Sequence, residues 1–187
     1  MKRRLFVAGS AVIGATAMGG CASPKVADYA GEKPQFDLRR YFNGTVDAYG
    51  IFTDRSGKVV KRFTVVMNCS WSGPSGREVG VLDEDFSYSD GTRQKRVWTL
   101  RREAGEGGQG RYVGMAADVL GQAEGEERGN AFYWNYYLQL PIDGREITVR
   151  FDDWMFMMNE EVVLNRATMS KWGVTLGEVT LSFKRRG

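Results

Sequence analysis

The sequence predicts an all-β fold, an antiparallel meander closed into a barrel of about eight to ten strands. Three observations carry that prediction. From Phe36 onward apolar residues recur at every second position, the period of a half-buried strand. The segments that show it are joined by hairpin-length turns, which favours antiparallel neighbours. No stretch carries a long helical stripe. A meander of this length must close or split into two packed sheets to hide its edges, and strands of about ten residues with tight turns favour closure.

The chain divides into residues 1–20, 21–35 and 36–187. In the first part Lys2, Arg3 and Arg4 form a basic n-region and Leu5 to Ala17 an apolar h-region; Met18-Gly19-Gly20 is then a small-residue approach to Cys21. This pattern resembles a bacterial lipoprotein signal peptide. The resemblance implies that residues 1–20 are cleaved and that Cys21 is acylated with chains such as palmitate. Leu5 to Gly20 is shorter than the ~20 apolar residues of a membrane span and is diluted by Gly, Ser and Thr. Arg3-Arg4-Leu5-Phe6 also resembles the core of a twin-arginine export signal, although ordinary Sec export is the plainer reading.

Ala22 to Gln35 has two prolines and no apolar period, and it reads as a flexible tether behind the lipidated Cys21. The expected address is the periplasmic face of a bacterial membrane. Ala22 is not the aspartate associated with inner-membrane retention, which favours the outer membrane.

The strands follow in order. Phe42, Val46, Ala48 and Phe52 share one face of the first, and Arg55-Ser56-Gly57-Lys58 turns the chain. Phe63, Val65, Met67, Cys69 and Trp71 share one face of the second. Val79 to Ser89 and Gln94 to Glu103 pair through Asp90-Gly91, with Trp98 and Leu100 on one face and Arg93, Lys95 and Arg101 on the other. A glycine-rich break, Gly105 to Gly110, precedes a strand from Arg111 to Val119. Leu120 to Arg128 reads as a polar loop. Three aromatic and methionine-rich strands then run from Gly129 to Ser170, and Val174 to Lys184 closes the chain.

Charge and composition exclude several functions. The chain has 26 Lys and Arg against 23 Asp and Glu, but Lys2, Arg3 and Arg4 account for the excess, so residues 21–187 carry no net charge. Nucleic acid is therefore not an expected partner. There is no histidine. That removes imidazole-activated nucleophiles, the usual zinc sets and histidine-ligated haem, so neither a metal nor a cofactor is expected, and an enzyme is the less favoured class. Cys69 shares a face with Met67 and Trp71 and reads as a small core hydrophobe.

Two carboxylate clusters need an account. Asp83-Glu84-Asp85 lacks the ligand spacing of a calcium loop and reads as a solvated hairpin end. Asp152-Asp153 interrupts a strand whose odd positions Ile147, Val149 and Phe151 are apolar, so strict alternation sends Asp153 inward. An inward carboxylate is costly unless paired. Either a bulge or rim position re-aims the strand, the reading favoured here, or Asp153 meets Arg150 or Arg166 inside and marks a head-group site. Beyond it, Trp154, Met155, Phe156, Met157 and Met158 are apolar on both faces, as in a wall packed on one side and lining a cavity on the other. Gly44, Ala48, Gly50 and Ala117 are the small residues expected to leave such a cavity open.

Several stretches together resemble a bacterial family of predicted lipoproteins of unknown function: Phe36-Asp37-Leu38 with Tyr41-Phe42-Asn43-Gly44, Tyr133-Trp134-Asn135-Tyr136, Leu140-Pro141-Ile142-Asp143-Gly144, Asp152-Asp153-Trp154-Met155 and Leu164-Asn165-Arg166. The resemblance covers nearly all of the chain after the leader. It implies a lipocalin-like barrel of the calycin group and supplies no activity or catalytic residues.

The expected function is binding of a hydrophobic ligand, such as a fatty acyl chain or lipid, by a lipid-anchored barrel. The candidate ligand-binding residues are Trp134, Tyr136, Arg150, Asp153, Trp154, Phe156, Met157 and Arg166. The alternative is a structural lipoprotein with a filled barrel, docking a protein through an apolar surface. An enzyme built on Asp153 with a tyrosine or arginine comes third.

Overall fold

The computed structural model describes residues 23–104, 110–142 and 144–187. The leader and Cys21 lie outside the described residues, as do positions 105–109 of the glycine-rich break. Ten antiparallel strands form one closed barrel: β1 (Gly44–Asp54), β2 (Val59–Ser72), β3 (Val79–Tyr88), β4 (Arg93–Ala104), β5 (Gly110–Met115), β6 (Val119–Arg128), β7 (Ala131–Ile142), β8 (Arg145–Met157), β9 (Val162–Lys171) and β10 (Val174–Arg185). Each strand pairs with its sequence neighbours, and β1 pairs with β10 to close the ring. The meander expected from the period-two pattern is the fold, and closure leaves no free sheet edge among the described residues.

Alternation sets the two faces of the wall. On β1 the inward residues Val46 and Ala48 are fully buried. On β2 the inward set is Val65, Met67 and Cys69, and burial pushes the Cys69 thiol up to about 12, as befits a core residue. The segment expected to be a polar loop is strand β6, paired with β5 and β7. Its inward positions carry Ala123 and Gly125 where an ordinary core strand carries large apolar residues. The reason is the neighbouring indole: a Cβ on Gly125 would lie 2.1 Å from Trp134 Cε3, and one on Gly114 would lie 2.7 Å from Trp134 Cζ2. Gly114 on β5 and Gly125 on β6 make room for Trp134, and with Ala123 and Gly125 as its inward residues β6 carries little hydropathic sign of a strand.

The N-terminal segment also departs from expectation. Residues read as a flexible tether form a 3-10 turn, Val26–Tyr29, with Val26 buried. Tyr29 sets its ring 5.7 Å from Trp154 and 5.2 Å from Phe156 on the outer wall. Aromatic contact of this kind is what orders a Pro- and Ala-rich segment that has no apolar period of its own.

A short helix, α1 (Leu38–Tyr41), then enters the end of the barrel where the β6–β7 turn lies. Asp37 caps it by accepting from the Arg40 amide at 2.9 Å. Phe36, Leu38, Tyr41 and Phe42 are buried there. Full burial of such side chains contributes ~1.5–3 kcal/mol each. The plug is tied on by hydrogen bonds: Tyr41 Oη donates to the Glu161 carbonyl at 2.9 Å, and Trp71 Nε1 donates to the Phe42 carbonyl at 2.7 Å. One end of the barrel is thereby closed.

Candidate ligand-binding cavity

Inside the barrel is a cavity of about 740 Å³. Leu38 and Phe42 of the plug form its floor, and Tyr88, Thr92, Arg93 and Pro141, at the opposite strand ends, form its mouth. Volume follows from circumference, because eight strands enclose barely enough room for their own side chains and ten enclose more. The small residues expected to keep it open do not do so. Gly50 lies beneath Leu181 and Phe63, with 2.6 Å to each from an added Cβ, and Ala117 is exposed.

Strand β8 runs past Asp152 and Asp153 without a bulge. Its register with β7 (Trp134 opposite Asp153, Asn135 opposite Asp152) and with β9 (Ala167 opposite Asp153) is continuous. Alternation therefore holds, and Asp153 points into the cavity, only 7% exposed. The bulge or rim position favoured from sequence is corrected to an interior one. The partners are corrected as well. Tyr136 Oη donates to Asp153 Oδ2 at 3.2 Å, and Asn165 Nδ2 donates both to Asp153 Oδ1 and to the Trp154 carbonyl, the latter at 3.0 Å. Arg150 shares the parity of Asp152 and lies outside with it, its Nη2 2.7 Å from Asp152 Oδ1. Arg166 is also outside, 2.6 Å from Glu178.

The other candidates divide by the same rule. Trp134, Tyr136 and Asp153 line the cavity. Trp154 and Phe156 face outward, stacked 6.0 Å apart with planes 7° from parallel under Tyr29. Met157 is buried on the inward parity, beyond the cavity and beside Tyr41 of the plug. The two-sided apolar run of β8 thus has one face packed outside, while Phe151 and Met155 on the other line the cavity.

Sequence reasoning missed Glu84 and Arg96. Asp83-Glu84-Asp85 is not a hairpin end but the middle of β3, and Leu82, Glu84 and Phe86 all line the cavity. Arg96 shares the parity of Trp98 on β4 and lines it too. The signal was the period itself: the alternation that sends Asp153 inward also sends Glu84 inward between Leu82 and Phe86.

Arg96 donates to Asp118 through Nε at 2.9 Å and Nη2 at 2.7 Å, and its Nη1 stands 4.0 Å from Glu84 Oε2. Burial raises the Glu84 carboxyl to about 7 against the pull of Arg96, with Asp118, Asp153 and Asp83 adding to the rise. Burial likewise raises Asp153 to about 6, opposed by its hydrogen bonds from Asn165 and Tyr136. Burial works against the charge of Arg96, but Glu84 and Asp118 outweigh it and hold the guanidinium protonated. Among the described residues no group of three or more Cys, Asp or Glu is placed to hold a metal ion. The walls are otherwise apolar and aromatic, with Trp98 packed 5.7 Å from Trp134 and 5.3 Å from Tyr136.

A floored, open-mouthed, ten-stranded antiparallel barrel of calycin type around an apolar cavity is the class of protein that this geometry defines. The chain belongs to the family described as protein of unknown function (DUF3833), whose sequence profile matches residues 15–185. Among solved structures it is similar to the S-type phycobiliprotein lyase CPES from Guillardia theta. That likeness has a TM-score of 0.61 and covers 88% of this chain and 99% of the lyase, at 8% identity. At that identity the likeness is one of fold. No curated protein matches the chain in sequence.

Proposed function

We propose that this protein is a lipid-anchored lipoprotein of the bacterial periplasm whose barrel binds a hydrophobic ligand such as a fatty acyl chain or lipid. The single observation that carries the reading is the cavity: about 740 Å³, apolar over most of its wall, floored at one end and open at the other. This is within the ~300–1,000 Å³ range of small-molecule sites, and apolar burial there is worth ~0.8 kcal/mol per CH₂. The alternative of a filled barrel that only docks a partner loses its premise, because the interior is not filled.

Anchorage at Cys21 and export by the leader are part of the proposal and rest on the sequence pattern of residues 1–21.

Native mass spectrometry of the full chain extracted from bacterial membranes, followed by organic extraction, tests both parts. The expected result is an acylated Cys21 and a second, non-covalent hydrophobic molecule. An apo mass with no uptake of the fluorophore N-phenyl-1-naphthylamine would overturn the ligand reading, and an unmodified Cys21 would overturn the anchor.

A further inference from the structure

Resting on the reading of the cavity as a hydrophobic-ligand site, we propose that the ligand's polar head is a positively charged hydrogen-bond donor, an alkyl amine or ammonium, and not a carboxylate. The inventory of polar groups inside the barrel points to it. Away from the mouth, where Tyr88, Thr92 and Gln94 lie, the carboxylates of Glu84 and Asp153 and the amide of Asn165 line the cavity. Asn165 is 2% exposed, and its Oδ1 has no hydrogen-bond partner among the described residues. Glu84 accepts no hydrogen bond among the described residues either, and the nearest cation is Arg96 at 4.0 Å.

The donors in the same space are already engaged. Tyr136 Oη gives its proton to Asp153, the Asn165 amide gives to Asp153 and the Trp154 carbonyl, and Arg96 turns Nε and Nη2 onto Asp118. One guanidinium thus faces two carboxylates, Glu84 and Asp118, and the carboxylate of Asp153 lies in the same cavity without a cation of its own. An anionic head entering this region meets like charge and finds its best donor occupied. A cationic donor meets two carboxylates beside the aromatic rings of Trp98, Trp134 and Tyr136. The cations at the mouth do not reverse this balance, since Lys61 is paired with Asp90 at 2.9 Å and Arg93 sits at the rim.

Three probes of one chain length decide the matter: decylamine, decanol and decanoate, titrated calorimetrically into the full chain in lipid nanodiscs with empty nanodiscs as blank. At about pH 8 an alkyl amine is charged and the carboxylates are ionised. The expected order is amine, then alcohol, then carboxylate, with the amine bound at least about ten-fold tighter than decanoate. Glu84→Gln should weaken the amine about ten-fold and decanol by less, so that the preference for amine over alcohol narrows. Equal affinities, or a preference for decanoate, would overturn the head-group proposal and leave the hydrophobic-ligand reading standing. Absence of binding by all three would overturn both. The ranking on the unaltered chain decides even where a variant fails to fold.

Discussion

Asp153 on β8 and Glu84 on β3 are turned into the same cavity by the same alternation, yet the barrel treats them differently. Asp153 is built into its wall: Tyr136 and Asn165 hold both carboxylate oxygens, and Asn165 also satisfies the Trp154 carbonyl. Glu84 stands against the cavity with a guanidinium at 4.0 Å and no hydrogen bond among the described residues. Burial raises both, Asp153 from 3.8 to about 6 and Glu84 from 4.5 to about 7; what opposes the rise differs, hydrogen bonds from Asn165 and Tyr136 at Asp153 and only the charge of Arg96 at Glu84, where nearby carboxylates add to it. A buried carboxylate with dedicated donors is part of the architecture; one left without them is retained against its own desolvation. That contrast is why the polar end of a ligand is assigned to this part of the cavity.

The largest expected effect breaks the wall-bound half of the comparison. Asn165→Leu removes a buried donor from Asp153 and a second donor from the Trp154 carbonyl, and should cost about 3 kcal/mol in chemical denaturation. Glu84→Leu, which removes a desolvated charge and strands no hydrogen bond, should be neutral or stabilising at about pH 8, since Arg96 keeps Asp118. If both substitutions cost the same, the two carboxylates are not in different environments.

The next effect sharpens the comparison through pH. The unfolded chain releases the Glu84 proton near 4.5 and the folded chain near 7, so across that window the folded state holds more protons. The stability this contributes is full below 4.5 and lost as pH rises to about 7. Glu84→Gln should therefore flatten the decline in stability over that window. It should leave the protein more stable by on the order of 2 kcal/mol at pH ~8, with little change at pH ~4.5. Asp153 makes a similar contribution in the lower window from 3.8 to about 6, which Glu84→Gln should leave in place.

The smallest effect belongs to the outer face. Arg150→Ala and Arg166→Ala each break an exposed pair and should change stability by less than about 1 kcal/mol. Neither should alter the binding of N-phenyl-1-naphthylamine, because neither residue lines the cavity. A lost binding signal in either variant would return these arginines to the site.

The fold was legible because most strands follow a strict period of two, and a closed meander is the simplest way to satisfy it. Strand β6 was not, since its inward residues Ala123 and Gly125 are small, the glycine making room for the Trp134 indole, and leave a polar-looking string. The ordering of residues 23–35 was hidden for a related reason: Tyr29 packs onto Trp154 and Phe156, a contact between segments far apart in sequence. At the candidate site, alternation alone placed Asp153 correctly, and preferring a bulge over it was the error. Arg150 has the parity of Asp152, not of Asp153, so period two already spoke against it as an interior partner. The choice of Asn165 over Arg166 depends on the β8–β9 register, which local sequence does not specify. Glu84 was lost because its acidic neighbours Asp83 and Asp85 made the cluster look solvated as a unit.

The central claim is that the cavity, and no outer surface, holds the hydrophobic ligand. Ala167 lines the cavity opposite Asp153 and is 3% exposed, so Ala167→Trp would project an indole into the empty space. Fluorescence titration of this variant with N-phenyl-1-naphthylamine, alongside the unaltered chain and Arg150→Ala, tests the claim most directly. The probe's fluorescence is expected to rise with the unaltered chain and with Arg150→Ala but not with Ala167→Trp, while the thermal unfolding of Ala167→Trp stays cooperative. Undiminished binding by a folded Ala167→Trp would contradict the claim.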